Sequence, residues 1–360
     1  MRRFNRRVFT LPVPLTAFSL FGFGKGSTTS NDDSSQTSTK QHSTSRIGLP
    51  RYIDHTALKP ETTQSEIAKL CNEAKEYGFA SVCINPYHIP YASDLLRTSQ
   101  NVKLCTVIEL CFIKKMLKKG FPLGANSTFT KCCETIESIL NGANEIDFVT
   151  NVGMIKSNEW DKVAIDMTCV VLASKYTYQW VQSKKSELNR TEVSVIAHYI
   201  ISTVEELRKT GKAKKVDKNW AKFDDLTNFV QSYNFDTDTK SKKETCLVKV
   251  ILETCLLTDA EIVRACQVAV QSKCDFVKTS TGFSSSGATA SHVSLMRATV
   301  DTEAKKLGFK AGTIKVKASG GIRNAVQANE MIKAGADRIG ASKGVEIVQE
   351  DLKTQSKKTS

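Results

Sequence analysis

Eight short β-rich runs, each separated from the next by other chain, constrain this sequence more than any other feature. They are YIDHTAL (52–58), ASVCIN (80–85), VKLCTVI (102–108), EIDFVTN (145–151), LVKVILET (247–254), CDFVKTS (274–280), TIKVKAS (313–319) and DRIGAS (337–342). Between them stand TTQSEIAKLCNEAKEYG, STFTKCCETIESILNGA, NEWDKVAIDMTCVVLA, TDAEIVRACQVAVQS, SHVSLMRATVDTEAKKLG and NAVQANEMIKAGA. Apolar residues in these segments recur every three or four positions, as they do on a helix with one buried face. Several open on Ser, Thr or Asn and close at Gly, the residues that start and stop helices. Strands that alternate with helices pair in parallel through right-handed crossovers. Eight such strands imply an α/β fold closed into a (β/α)8 TIM barrel rather than an open doubly wound sheet.

The expected organisation is an N-terminal extension over 1–47, a barrel over 48–346 and a polar tail over 347–360, with insertions at 109–119 and 175–243. The extension opens MRRFNRRVFTLPVPLTAFSLFGFG, with four arginines and no acid, and continues into a Ser/Thr-rich stretch. Its apolar part is short and broken by prolines, which argues against a membrane span. It is either an organelle-targeting presequence or a disordered tail. The expected location is therefore the cytoplasm, with an organelle as the alternative. The 109–119 insertion, ELCFIKKMLKK, directly follows the third strand, on the face where barrel active sites are built. The 175–243 insertion falls between a helix and a strand, and so belongs to the opposite face.

The formal charge of +14 resides in these extra segments: +5 in 1–47, +3 in 109–119, +5 in 175–243 and +1 in 347–360. The rest of the chain is formally neutral, so a nucleic-acid role for the main fold is not supported. The eleven cysteines form no Cys-x-x-Cys pair. They suggest neither a zinc site nor a disulfide framework, and a reducing compartment is expected.

Polar residues gather at or near the C-terminal ends of the strands: Asp54, Cys83 with Asn85, Asp147, Glu253, Lys278, Lys317, and Gly340 with Ser342. Side chains at such positions face the catalytic mouth of a barrel. Two lysines on adjacent strands have two uses. One ammonium, with partial burial, can free its neighbour's amine to attack a carbonyl. Alternatively, both bind a phosphate or carboxylate without covalent chemistry. Asp147 could move protons across the mouth. Glycine-containing stretches STG (280–282), SGG (319–321) and IGAS (339–342) follow the last three strands, where exposed N–H groups suit a phosphate dianion. Arg323 adds a charge there or caps a surface. Lys249 shares an inward-facing parity with Ile251 and Glu253, which suits a polar network deeper in the barrel; it and Lys315 are weaker candidates for the nucleophile, and His55, His88 and His292 are read as structural or polar-pocket residues.

Beyond these readings, the chain resembles the deoxyribose-phosphate aldolases, class I Schiff-base aldolases. The resemblance is carried by IDHTALKPETT (53–63), GFASVCINPYHIP (78–90), GFPLGANST (120–128), GANEIDFVTNVG (142–153), KVILET (249–254), DFVKTSTGF (275–283), KASGGIR (317–323) and RIGAS (338–342). It covers roughly residues 50–108, 120–174 and 244–346. It implies a TIM barrel that reversibly cleaves 2-deoxy-D-ribose 5-phosphate to acetaldehyde and D-glyceraldehyde 3-phosphate in deoxyribonucleoside catabolism. Lys278 would form the Schiff base, Lys317 would perturb it, and Asp147 would relay protons. Gly282, Gly320, Gly321, Gly340 and Ser342 would surround the phosphate, with Asp54 and Cys83 lining the substrate pocket; Thr281 and Arg323 are further candidates for binding the substrate or its phosphate. No cofactor and no metal are implied. The partners implied are a small sugar phosphate and a second copy in a homodimer, with no nucleic acid and no membrane. The 109–119 insertion departs from the family, as does the tail EDLKTQSKKTS, which lacks the tyrosine many members carry. Two alternatives stay open: a related Schiff-base sugar-phosphate aldolase, or a catalytically weak barrel acting as a scaffold.

Overall fold

Each of the eight β-rich runs contains a strand. The computed structural model describes residues 48–99, 101–108, 121–183, 187–210, 226, 229–230 and 245–359. Its strands are β1 (Ile53–Ala57), β2 (Ser81–Ile84), β3 (Lys103–Val107), β4 (Glu145–Val149), β5 (Leu247–Ile251), β6 (Phe276–Lys278), β7 (Lys315–Ser319) and β8 (Arg338–Ala341). All pair in parallel in chain order, and β8 returns to β1, closing the barrel. The 1–47 extension and the 109–119 insertion lie outside the described residues.

Around the strands stand α1 (Gln64–Tyr77), α2 (Ile89–Leu96), α3 (Thr128–Leu140), α4 (Val152–Lys156), α5 (Trp160–Gln182), α6 (Arg190–Thr210), α7 (Asp259–Gln271), α8 (Ala290–Lys306), α9 (Ala325–Lys333) and α10 (Gly344–Thr359). Local chemistry sets their ends. Thr63 with Glu66 and Thr258 with Glu261 form reciprocal caps that satisfy the free N–H groups opening α1 and α7. Gly78 closes α1 in the left-handed conformation. Helix α2 is hidden in the sequence by Pro86 and Pro90. Pro90 occupies the first turn of the helix, where its missing N–H breaks no helical bond. Helix α10 runs on through most of the 347–360 segment, with Ile347 and Val348 buried.

Because strand side chains alternate, each strand has a helix-facing set and an inward set. The helix-facing set is apolar: Ile53, Val82, Ile84, Leu104, Ile146, Phe148, Val248, Val250, Val277, Val316, Ala318 and Ile339 all lie in the main core. That layer supplies the cohesion of the barrel, at about 25 cal/mol per Å² of apolar surface removed from water. The inward set is largely polar and charged.

The sequence suggested a helix ending near residue 173, but α5 continues to Gln182, into the 175–243 insertion. Tyr176 and Trp180, one turn apart, extend its buried face. They join Ile196, Ala197, Ile200 and Val204 of α6, and Cys132 and Ile136 of α3, in a second apolar cluster. The described part of the insertion therefore leaves α5 at the face away from the strands' C-terminal ends, as expected, and lays α6 against α3 and α5.

A buried ion pair ties these helices to β4. Lys131 Nζ of α3 donates to Asp166 Oδ2 of α5 at 2.7 Å and to the Val149 carbonyl, the last residue of β4, at 2.9 Å. Thr128 Oγ1 donates to the other Asp166 oxygen at 2.8 Å. Lys131→Met strands a buried carboxylate, and its expected cost is about 3–5 kcal/mol in urea denaturation. The double variant Lys131→Met with Asp166→Leu should recover most of that loss, since it leaves no uncompensated charge.

Candidate active site

The inward face of the barrel carries seven ionisable side chains in contact: Asp54 of β1, Glu145 and Asp147 of β4, Lys249 of β5, Lys278 of β6, Lys317 of β7 and Arg338 of β8. At their centre Asp147 accepts three ammonium groups. Oδ1 takes Lys249 at 2.8 Å, and Oδ2 takes Lys278 and Lys317, each at 2.8 Å. Strand register creates this convergence, pairing Asp147 with Lys249 and Lys278 with Lys317.

The outer members close the network. Lys249 also meets Glu145 Oε2 at 2.6 Å, and Lys317 also meets Asp54 Oδ2 at 2.6 Å. Neither oxygen has a directed hydrogen bond, so these are ion pairs. Arg338 bridges the two outer carboxylates, contacting Asp54 Oδ1 and reaching Glu145 Oε1 at 3.0 Å. Beneath lies the Phe276 ring, with Lys249, Lys315 and Arg338 each 5.8 Å from its centroid, within cation–π range. Lys315 is exposed and takes no part in these ion pairs among the described residues.

Among these seven residues Lys278 is distinct. Lys249 and Lys317 each have a second carboxylate, whereas the ion pair of Lys278 is with Asp147 alone. It is also the last residue of its strand, next to the glycine-containing loop. Three carboxylates face four cations in this group, so loss of one proton from a lysine balances the formal charge.

Burial works against charge on Asp54, Asp147, Lys249, Lys317 and Arg338, and for these five the partners outweigh it. Despite desolvation, Lys249, Lys278 and Lys317 hold Asp147 well below the usual carboxylate range. Arg338 and Lys317 do the same for Asp54. Burial would lower Lys317, yet Asp147 and Asp54 hold its ammonium above the ordinary lysine range. Lys249 is likewise raised, by Asp147 chiefly and by Cys105 and Glu145, against its burial.

Lys278, Lys317 and Asp147, singled out in the sequence, are thus brought into direct contact. Asp54 is not at a strand end. It is the second residue of β1, fully buried, and its partners are Lys317 and Arg338. Cys83 lies inward beside Cys105 and Val107, with Leu58 and Phe121 packed against them. Gly340 is inside β8, where a Cβ would stand 2.8 Å from Ser319 Cβ and 3.1 Å from Lys317 Cε, so the bare backbone makes room for that lysine. Gly282, Gly320 and Gly321 all have left-handed φ, at +89°, +87° and +80°. Arg323 and Ser342 are exposed on the loops after β7 and β8. His55 pairs with Glu73 at 2.8 Å, away from the charge network.

Lys249 joins the polar network inside the barrel, as its inward parity in the sequence suggested, whereas Glu145 and Arg338 were not singled out. Their signal was a charge within a short, otherwise apolar run, at alternate positions in EID and beside Ile339 in DRIG. Glu253, also noted near a strand end, takes a left-handed φ of 56° that is unusual for a residue with a side chain. Its carboxylate accepts the Thr281 hydroxyl at 2.5 Å and the Thr281 N–H at 3.3 Å, anchoring the loop beyond Lys278.

No family model matches the chain. Among curated relatives, the deoxyribose-phosphate aldolase of Thermoanaerobacter sp. (strain X514) is 40% identical over 304 residues, 84% of this chain and 97% of that protein. That of Mannheimia succiniciproducens is 42% identical over 301 residues, 84% of this chain and 94% of that protein. Among solved structures, an aldolase designated QR15 is 32% identical with a TM-score of 0.56, covering 86% of this chain and 98% of that one. The tetrameric deoxyribose phosphate aldolase of Aeropyrum pernix is 25% identical with a TM-score of 0.54, covering 85% and 92%.

The charge network fixes how stability depends on pH. Asp54 and Asp147 have depressed values, so their contribution is complete above about 3.9, where an unfolded aspartate titrates, and is lost as pH falls through the folded values. Lys317 and Lys249 have raised values, so theirs is complete below about 10.4 and lost only as pH rises through the folded values. Urea midpoints should therefore hold level from about pH 5 to 9 and fall below about pH 4. A midpoint that rises on acidification below pH 4 would contradict the network.

Proposed function

The chain belongs to the deoxyribose-phosphate aldolase family, and from that premise we propose that it cleaves 2-deoxy-D-ribose 5-phosphate reversibly to acetaldehyde and D-glyceraldehyde 3-phosphate, through a Schiff base on Lys278. The observation that carries the assignment of the nucleophile is the unequal sharing of carboxylates. Attack on a carbonyl needs a neutral amine. Lys249 and Lys317 are each held as ammonium ions by two carboxylates, while Lys278 has one, shared with both of the others.

In this reading the Lys278 amine adds to the aldehyde carbon of the open-chain sugar. The carbinolamine loses water to give an iminium, whose positive nitrogen withdraws electrons from the C2–C3 bond. Removal of the C3 hydroxyl proton breaks that bond and releases D-glyceraldehyde 3-phosphate, leaving an enamine on Lys278. Protonation at C2 and hydrolysis then release acetaldehyde and restore the lysine. Asp147, 2.8 Å from both Lys278 and Lys317, is the acceptor that can take the hydroxyl proton directly or through water. The Lys317 ammonium supplies positive charge beside the reacting nitrogen and a proton to return.

The phosphate is assigned to the loops after β6 and β7. The left-handed φ of Gly282, Gly320 and Gly321 favours residues without a side chain and gives close backbone approach. Gly287 packs so tightly on this turn that a Cβ there would lie 2.1 Å from the Gly320 carbonyl oxygen. The buried Ser280 hydroxyl beside Gly320 has no hydrogen-bond partner, which suits a site that gains one from its ligand. Arg323 and Ser342 border the same mouth in this assignment. Thr281 acts through its bond to Glu253, by holding the loop.

Borohydride reduction in the presence of deoxyribose 5-phosphate is expected to leave the reduced adduct on Lys278, located by peptide mass spectrometry. Lys278→Arg should abolish both adduct and cleavage. An adduct on Lys249 or Lys317 in the wild type would sink the assignment. Glu253→Ala should lower kcat/KM for deoxyribose 5-phosphate by about tenfold to a hundredfold, the worth of hydrogen bonds to a buried carboxylate. Circular dichroism should show the barrel still folded, and Glu253→Gln should recover part of the rate.

A further inference from the structure

Cys83 and Cys105 have no part in the scheme above, yet they stand side by side in the barrel. They are register partners on β2 and β3, and both are fully buried. Their sulfurs and an Asp147 carboxylate oxygen all lie within 4.8 Å of one another. We propose that Cys83 and Cys105 are a covalent modification site: a hydroperoxide that enters by the substrate's route oxidises them to a disulfide.

Three observations support this. Neighbouring strands run about 4.8 Å apart, inside the Cα separation of about 4.4–6.8 Å that a disulfide spans. Both side chains point into a closed barrel, where inward Cβ atoms converge and come nearer than the backbones do. The environments also differ in a way that assigns the steps. Cys83 is held below the ordinary thiol range by its hydrogen bond with Cys105, against its burial and with help from Lys317 and Lys278. Cys105 is held well above that range by burial, by Cys83 and by Asp147.

Cys83 is accordingly the sulfur that reacts first, because the thiolate is the nucleophile. It attacks one peroxide oxygen, the O–O bond breaks, and an alcohol (or water, from hydrogen peroxide) leaves. The Cys105 sulfur then attacks the sulfenic sulfur of Cys83, the S–O bond breaks, and water leaves. Two thiols lose two electrons and two protons, and the peroxide is reduced by those two electrons.

The link acts on the charge network through Cys105. Its sulfur lies 3.2 Å from Asp147 Oδ1, with its single proton shared between that oxygen and Cys83, and accepts from Lys249 at 3.2 Å. A disulfide has no S–H to donate, so Asp147 loses a partner on the oxygen opposite Lys278. Oxidation therefore lowers turnover, a consequence that rests on the role proposed for Asp147. The link itself does not rest on that role.

The test treats the full-length protein with hydrogen peroxide, with and without deoxyribose 5-phosphate, and then compares activity with a non-reduced digest. The expected result is a Cys83–Cys105 peptide pair lighter by two hydrogens, loss of turnover that dithiothreitol restores, and protection by the sugar phosphate. Cys83→Ser and Cys105→Ser should each remove that peptide pair. In Cys105→Ser the sulfenic acid should persist, and dimedone should tag Cys83; in Cys83→Ser it should leave Cys105 untagged. An inactivated protein without the pair, a link confined to other cysteines, or dimedone on Cys105 in Cys83→Ser would overturn the site. A fully linked protein that keeps its starting rate would overturn only the consequence drawn through Asp147.

Discussion

One carboxylate shared by three ammonium groups organises this protein. Asp147 could not be ionised in the interior of the barrel without partners, and no single lysine could be charged there alone. Together they are stable because each buried charge faces an opposite one, and because Asp54, Glu145 and Arg338 complete the alternation around the barrel wall. The arrangement consumes the inward face of six strands. It follows that hydrophobic cohesion comes from the other side of the sheet, where the helix-facing residues are almost all apolar.

The loops inherit their constraints from the same centre. Lys278 ends β6, so the chain that follows it must turn at once and then be held in place. The left-handed glycines meet the first need, and Glu253 meets the second by fastening Thr281 from the neighbouring loop. Gly340 also answers a packing need within the barrel. It is missing a side chain so that Lys317 can lie across β8. A glycine next to a phosphate loop and a glycine beneath a lysine look identical in sequence.

The barrel was legible because strand and helix periodicities differ, and because caps such as Thr63 with Glu66 mark their boundaries locally. Lys278, Lys317 and Asp147 were legible for a related reason: charge inside a short apolar run is costly enough to need an explanation. What could not be read was the pairing. Glu145, Lys249 and Arg338 sit on separate strands, and only the register of the closed sheet brings them together. The same limit applies to the pairing of Asp54 with Lys317. Helix α2 was obscured because proline disfavours most helix positions but not the first turn.

Helix α6 covers part of the outer surface. Residues of α3 and α5 that most barrels would present to water, among them Cys132, Ile136, Tyr176 and Trp180, are packed beneath it. That side of the molecule is already spoken for within a single chain. If this protein self-associates, the subunits must meet elsewhere, unless α6 itself becomes the meeting surface. Through α6 the insertion thereby narrows the quaternary arrangements available to this chain.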